Sequence, residues 1–103
     1  MSALVAGPAG AGAQPLKQQI AEAVLPLPED LKADATVVTY NPDTGARRVL
    51  RQGTNQVECQ TMDPQAMQTS CYSKALASQF DLMAMLRAEG KSPEDVQAGI
   101  AAA

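Results

Sequence analysis

Apolar positions along the chain change period several times, and each change marks a structural element. From Pro15 to Leu25, Leu16, Ile20, Ala23 and Val24 recur at helical spacing. Pro15 suits a first helical turn, and Pro26 and Pro28 end the helix because each lacks a donor and restricts the residue before it. Glu29 to Asp34 is a polar connector with room for one helical turn. Ala35 to Tyr40 is β-branched and aromatic, which predicts a strand. Asn41-Pro42-Asp43-Thr44-Gly45 then reads as a hairpin loop, with Pro42 presetting φ and Gly45 free to take positive φ. Ala46 to Gln52 returns as a second strand, Gly53-Thr54-Asn55 makes the next reversal, and Gln56 to Thr61 forms a third strand that Asp63-Pro64 breaks. Met62 to Ser70 reads as a polar loop.

The helical period resumes after Tyr72. Ser73 caps a helix over Lys74 to Glu89, with Leu76, Phe80, Met83 and Leu86 on one face and Leu82 and Met85 beside it. Arg87 suits the helix dipole and Gly90 is a stop signal. Ser92-Pro93-Glu94-Asp95 restarts a helix with a cap, a proline at the first position and acids in the first turn. These elements predict an α+β fold: a three-stranded antiparallel meander packed by N-terminal and C-terminal helices. Residues 14–103 form the domain. The C-terminal helix stops at Ala103 without a cap, so the domain is expected to be C-terminally truncated.

Composition narrows the function. One Phe, two Tyr and no Trp in 103 residues leave little large apolar surface to bury, so the domain needs a staple. A net charge of −3 argues against a nucleic-acid partner, which requires a basic face. Arg47, Arg48 and Arg51 are the one basic cluster and read as a solvated face or an edge guard. No run approaches the roughly 18 apolar residues of a membrane span. Histidine is absent, which removes the commonest general base, metal ligand and partner of a Ser or Cys nucleophile. With no recognisable catalytic constellation, the chain is not expected to be an enzyme. Asp43, Glu58, Asp63, Asp81, Glu89, Glu94 and Asp95 read as turn formers, caps or solvated positions rather than a catalytic carboxylate pair.

Residues 1–13, MSALVAGPAGAGA, are small and uncharged, and Ala11-Gly12-Ala13 has the form of a signal-peptidase site with cleavage before Gln14. The segment is read as a signal-peptide remnant whose true start lies upstream, the alternative being a disordered leader. Cys59 and Cys71 have eleven residues between them. In an exported chain they are expected to form a disulfide worth about 3 kcal/mol from loop closure. A redox pair usually has two intervening residues. The sharper alternative is a copper(I) site of Cys59, Met62, Met67 and Cys71, thiolate with thioether being a soft ligand set; otherwise no cofactor is expected. Thr54 and Asn55 in the second reversal are exposed loop residues with some binding potential, and Tyr72 is a weaker binding candidate expected to cover the disulfide.

The chain resembles a family of exported Gram-negative bacterial proteins that has no established activity. The matching stretches are Ala35-Thr36-Val37-Val38, Val49-Leu50-Arg51-Gln52-Gly53-Thr54-Asn55, Cys59 with Asp63-Pro64, Cys71-Tyr72, and Leu86-Arg87-Ala88-Glu89-Gly90-Lys91-Ser92, about two thirds of the chain in order and spacing. Gln56 stands where the family usually has Gly. The resemblance implies export, to the periplasm or outside the cell, and paired cysteines; it implies no activity. The combined expectation is a small exported module, stapled by a disulfide, that binds another protein or a small ligand. It predicts exposed apolar surface on the sheet or beside Phe80 and Met83. A fragment without function of its own is a further alternative.

Overall fold

The computed structural model describes residues 15–63 and 67–103. Its architecture is α+β: helices α1 (Leu16–Ala23) and α2 (Glu29–Lys32), strands β1 (Thr36–Tyr40), β2 (Arg47–Arg51), β3 (Val57–Asp63) and β4 (Gln68–Ser73), then helices α3 (Ala77–Ala88) and α4 (Pro93–Ala102), with a 3-10 turn at Lys74–Leu76 leading into α3. The leader 1–13 and the cleavage point before Gln14 lie outside the described residues. No helix among the described residues is long and apolar enough to cross a membrane.

The antiparallel three-stranded meander is not what forms. The sheet has four strands in the order β2-β1-β3-β4. β1 pairs antiparallel with β2 but parallel with β3, through Thr36↔Glu58, Val37↔Cys59 and Val38↔Gln60. The chain therefore runs from β2 across the start of β1 before entering β3. The crossing strand-to-strand segment lies against the β1 backbone: the Thr54 and Asn55 amides donate to the Asp34 carbonyl at 2.8 and 3.1 Å, and the Gly53 amide donates to the Thr36 hydroxyl at 3.0 Å. A Cβ on Gly53 would overlap the Asp34 carbonyl oxygen and sit 2.5 Å from the Thr36 nitrogen, so only glycine permits this approach. The expected polar loop at 62–70 is likewise corrected. Its second half is β4, which pairs antiparallel with β3 and sets Cys59 opposite Cys71.

Successive strand residues face opposite sides, and here each side meets different helices. On one, Val37 and Cys59 join Ala23, Val24 and Ala35 in the core, with Ile20, Leu27, Leu50, Val57 and Cys71 packed against it. On the other, Glu58 and Tyr72 meet α3: the Tyr72 ring stacks on Phe80 with centroids 3.8 Å apart. Neighbouring Cys71 and Tyr72 thus diverge, and Tyr72 covers the α3 side rather than the disulfide. Local signals hold at the helix ends. Ser92 accepts from the Asp95 amide at 3.2 Å, and Gly90, at φ +84°, closes α3 through Gly90 N–H to Arg87 carbonyl and Lys91 N–H to Leu86 carbonyl bonds. α4 packs on α3 through buried Val96 and through Gly99, where a Cβ would come within 2.7 Å of Leu86 Cδ1.

Candidate functional site

β1 and β3 share a ladder only as far as Val38 and Gln60, yet run on to Tyr40 and Asp63. Beyond that point β1 turns into β2 on one side and β3 turns into β4 on the other. Two adjacent parallel strands whose continuations leave in opposite directions open a crevice at their carboxyl ends, for the same geometric reason that ligands bind at such points in open parallel sheets. A groove of about 80 Å³ lies there. Thr39, Tyr40, Asn41 and Pro42 line it from β1, Gln60, Thr61, Met62 and Asp63 from β3, and Phe80, Met83, Ala84 and Arg87 from α3. Where the ladder stops, the Thr61 hydroxyl donates to the Thr39 hydroxyl at 2.7 Å. Arg87 Nη1 donates to Asp63 Oδ2 at 2.6 Å, tying α3 to the end of β3.

Beside the groove lies a polar cluster centred on buried Glu58, which shares Tyr40 with the groove lining. Glu58, 1% exposed, accepts from both terminal nitrogens of Arg47, the Nη1 contact being 2.9 Å, and from the Tyr72 hydroxyl at 2.8 Å. The Tyr40 hydroxyl donates to Asp81 Oδ1 at 2.6 Å, and Arg47 Nη1 reaches both the Tyr40 hydroxyl and Asp81 at 3.3 Å. Burial alone would raise the Glu58 carboxyl, but hydrogen bonds from Arg47 and Tyr72 outweigh it and hold the carboxyl below its ordinary value. The bond to Glu58 raises the Arg47 guanidinium despite partial burial. Burial, then the bond to Asp81, pushes the Tyr40 phenol up to about 12; burial and the bond to Glu58 push Tyr72 higher still.

Arg47 is thus an ion-pair partner, and Arg51 donates to the Lys32 and Ala35 carbonyls at 2.5 and 2.8 Å, closing the end of α2. Arg51 is therefore not the solvated edge guard its sequence setting implied, while Arg47 and Arg48 are both exposed on the edge strand, Arg47 with its guanidinium paired to Glu58. Glu58 is a buried ion-pair partner rather than a solvated carboxylate, whereas Asp81, 44% exposed, accepts from Tyr40 and Arg47 at the surface. Of the sequence candidates, Asn55 donates its amide to the Leu31 carbonyl at 3.1 Å and accepts from the Val57 amide at 2.9 Å, while the Thr54 side chain is exposed beside it. Both lie at the opposite end of β3 from the groove. Tyr72 lies beneath Phe80, with its hydroxyl committed to Glu58. Cys59 and Cys71 form a disulfide with Cα atoms 4.0 Å apart, so both thiolates of the copper(I) alternative are consumed, and Met62 and Met67 are 50% and 73% exposed. Among the described residues no three His, Cys, Asp or Glu side chains converge as a metal site.

The structure brings together residues whose site role went unread: Thr39, Gln60 and Thr61 from two strands, with Asp63 and Arg87, which read only as a strand breaker and a dipole match. The available signal was Phe80, Met83, Ala84 and Arg87 at helical spacing, an apolar face ending in a cation. The chain matches no protein-family model, no curated protein and no solved structure.

Proposed function

We propose that the protein is a small exported, non-enzymatic binding module whose working surface is the groove between β1, β3 and α3. The observation that carries this reading is the crevice at the diverging strand ends, walled by Phe80, Met83 and Ala84 and edged by polar side chains. Apolar walls with a few fixed polar groups are the general composition of ligand sites. The groove is well below the ~300 Å³ of a site for drug-sized molecules, which favours a small ligand or a single inserted side chain. The groove's two ionised side chains bind each other, and the chain holds no histidine, which favours binding over catalysis. Export rests on the family resemblance and on the disulfide, a bond that persists in oxidising compartments.

A fragment screen followed by amide chemical shifts tests this reading. Hits should perturb Thr39, Gln60, Thr61, Met83 and Ala84 together, and Ala84→Leu, which fills the groove, should abolish the response. Hits scattered over the surface, or insensitive to Ala84→Leu, would sink it. The intact mass of protein recovered from the periplasm, with and without alkylation, tests export: a start at Gln14 and no alkylatable thiol are the expected result.

A further inference from the structure

We propose that the groove takes a small carboxylic acid with an apolar body, its carboxylate held by Arg87 and its body against Phe80, Met83 and Ala84. This rests on the groove being a binding site and names the chemistry of what it binds. Arg87 is the one cation among the lining residues. Its Nη1 donates to Asp63 Oδ2, while a guanidinium carries five N–H donors in a planar fork. The remaining edge matches a second carboxylate, an arrangement in which one arginine bridges two acids. Its side chain is 31% exposed whereas Asp63 is 13% exposed, so the pair presents its positive partner to the opening. Thr39 adds a second donor to the lining: its oxygen accepts from Thr61, which leaves its own hydroxyl proton to give. Apart from the Arg87–Asp63 pair the lining side chains carry no charge, so a single carboxylate is the only charge the groove has a cation to meet. The small volume selects a free acid over a peptide terminus, whose preceding residues would need room alongside the carboxylate.

Phenylacetate, its neutral analogue phenylacetamide, and an acetylated tripeptide ending in phenylalanine serve as probes, titrated into ¹⁵N-labelled protein with the Arg87 side-chain Nε–H followed beside the amides. Phenylacetate should move the Arg87 Nε–H and the Thr61, Met83 and Ala84 amides, and bind about tenfold or more tighter than the amide. Two variants of one ion pair then read in opposite directions. Arg87→Gln should weaken phenylacetate by about tenfold or more, and Asp63→Asn, which removes a like charge and weakens the competing bond to the guanidinium, should tighten it at least about twofold. A merely structural ion pair would make both variants weaken binding alike, and that result overturns the proposal. Equal binding of phenylacetamide in the groove overturns the carboxylate while leaving the groove as a site. Tighter binding of the tripeptide overturns the small-acid assignment. No perturbation of groove amides by any probe overturns the proposal together with the binding-site reading.

Discussion

Glu58 gathers donors from two strands on the α3 side of the sheet. It is almost fully buried, and its charge is tolerated because Arg47 meets it with both terminal nitrogens and Tyr72 supplies a third donor. Glu58→Gln leaves Arg47 with only the longer contact to Asp81 and should cost about 3 kcal/mol in urea unfolding, towards the low end for a broken buried pair because Arg47 is 30% exposed. The same residue sets an acid limit. Its folded carboxyl ionises below the ordinary value, so in the window under ~4.3 the unfolded chain binds more protons than the folded one. Stability from Glu58 is therefore complete above that window and is lost as pH falls through it; Glu58→Gln should flatten this slope. The alkaline side is reported by the tyrosines. The chain has two, Tyr40 and Tyr72, and both phenols are raised. Between pH ~10 and about 12 the folded protein keeps protons that the unfolded chain has released, so stability falls as pH rises. Phenolate absorbance at pH 10 should stay close to zero in the native protein and reach half its maximum in urea. A normal native titration near pH 10 would contradict the hydrogen bonds to Asp81 and Glu58.

The crossing from β2 to β3 is the element on which the topology turns, and it rests on Gly53. Alanine there would place a methyl group into the Asp34 carbonyl and the Thr36 amide, which are backbone atoms that move only if β1 moves. Gly53→Ala should destabilise by at least about 2 kcal/mol, whereas Gly90→Ala, in open space at positive φ, should cost about 1 kcal/mol; thermal melts of the two variants check the ordering. Individual elements were legible because their signals are local. Asn41 builds the β1–β2 turn by accepting from the Asp43 and Thr44 amides, Gly45 takes φ +75°, and Ser73 and Ser92 cap where they stand. The pairing of β1 with β3 was not legible in the same way. Gly53-Thr54-Asn55 has the composition of a hairpin reversal, and nothing in those residues distinguishes a turn back along β2 from a step across β1. The distinguishing interaction, Asn55 to the Leu31 carbonyl, spans 24 positions. β4 was hidden because its residues are mostly polar, and only the register of the sheet sets Cys71 opposite Cys59.

Helices on both faces of one sheet divide the molecule into two sides with different chemistry, and the disulfide belongs to only one of them. Cys59 and Cys71 sit in the core with Ala23, Val24 and Val37, while Glu58, Tyr72 and the groove belong to α3. The staple was readable from two cysteines in a chain short of large apolar residues. The groove was not, because its lining comes from three elements that only the parallel pairing brings together. This separation predicts how the molecule responds to reduction. Closing a twelve-residue separation contributes about 3 kcal/mol through the unfolded chain, so removing the bond should shift the urea midpoint by roughly 2–3 M at an m-value near 1 kcal/mol/M. The native α3 side, which lies across the sheet from the disulfide, should be preserved while the protein stays folded. Dithiothreitol-reduced protein in the absence of urea should therefore keep its suppressed tyrosine titration at pH 10 and its groove amide shifts, while Cys59→Ala with Cys71→Ala should reproduce the loss of stability. If reduction instead released both tyrosines at once in protein that is still folded by circular dichroism, the two faces would be coupled through the sheet, and the disulfide would be shaping the groove as well as stabilising the fold.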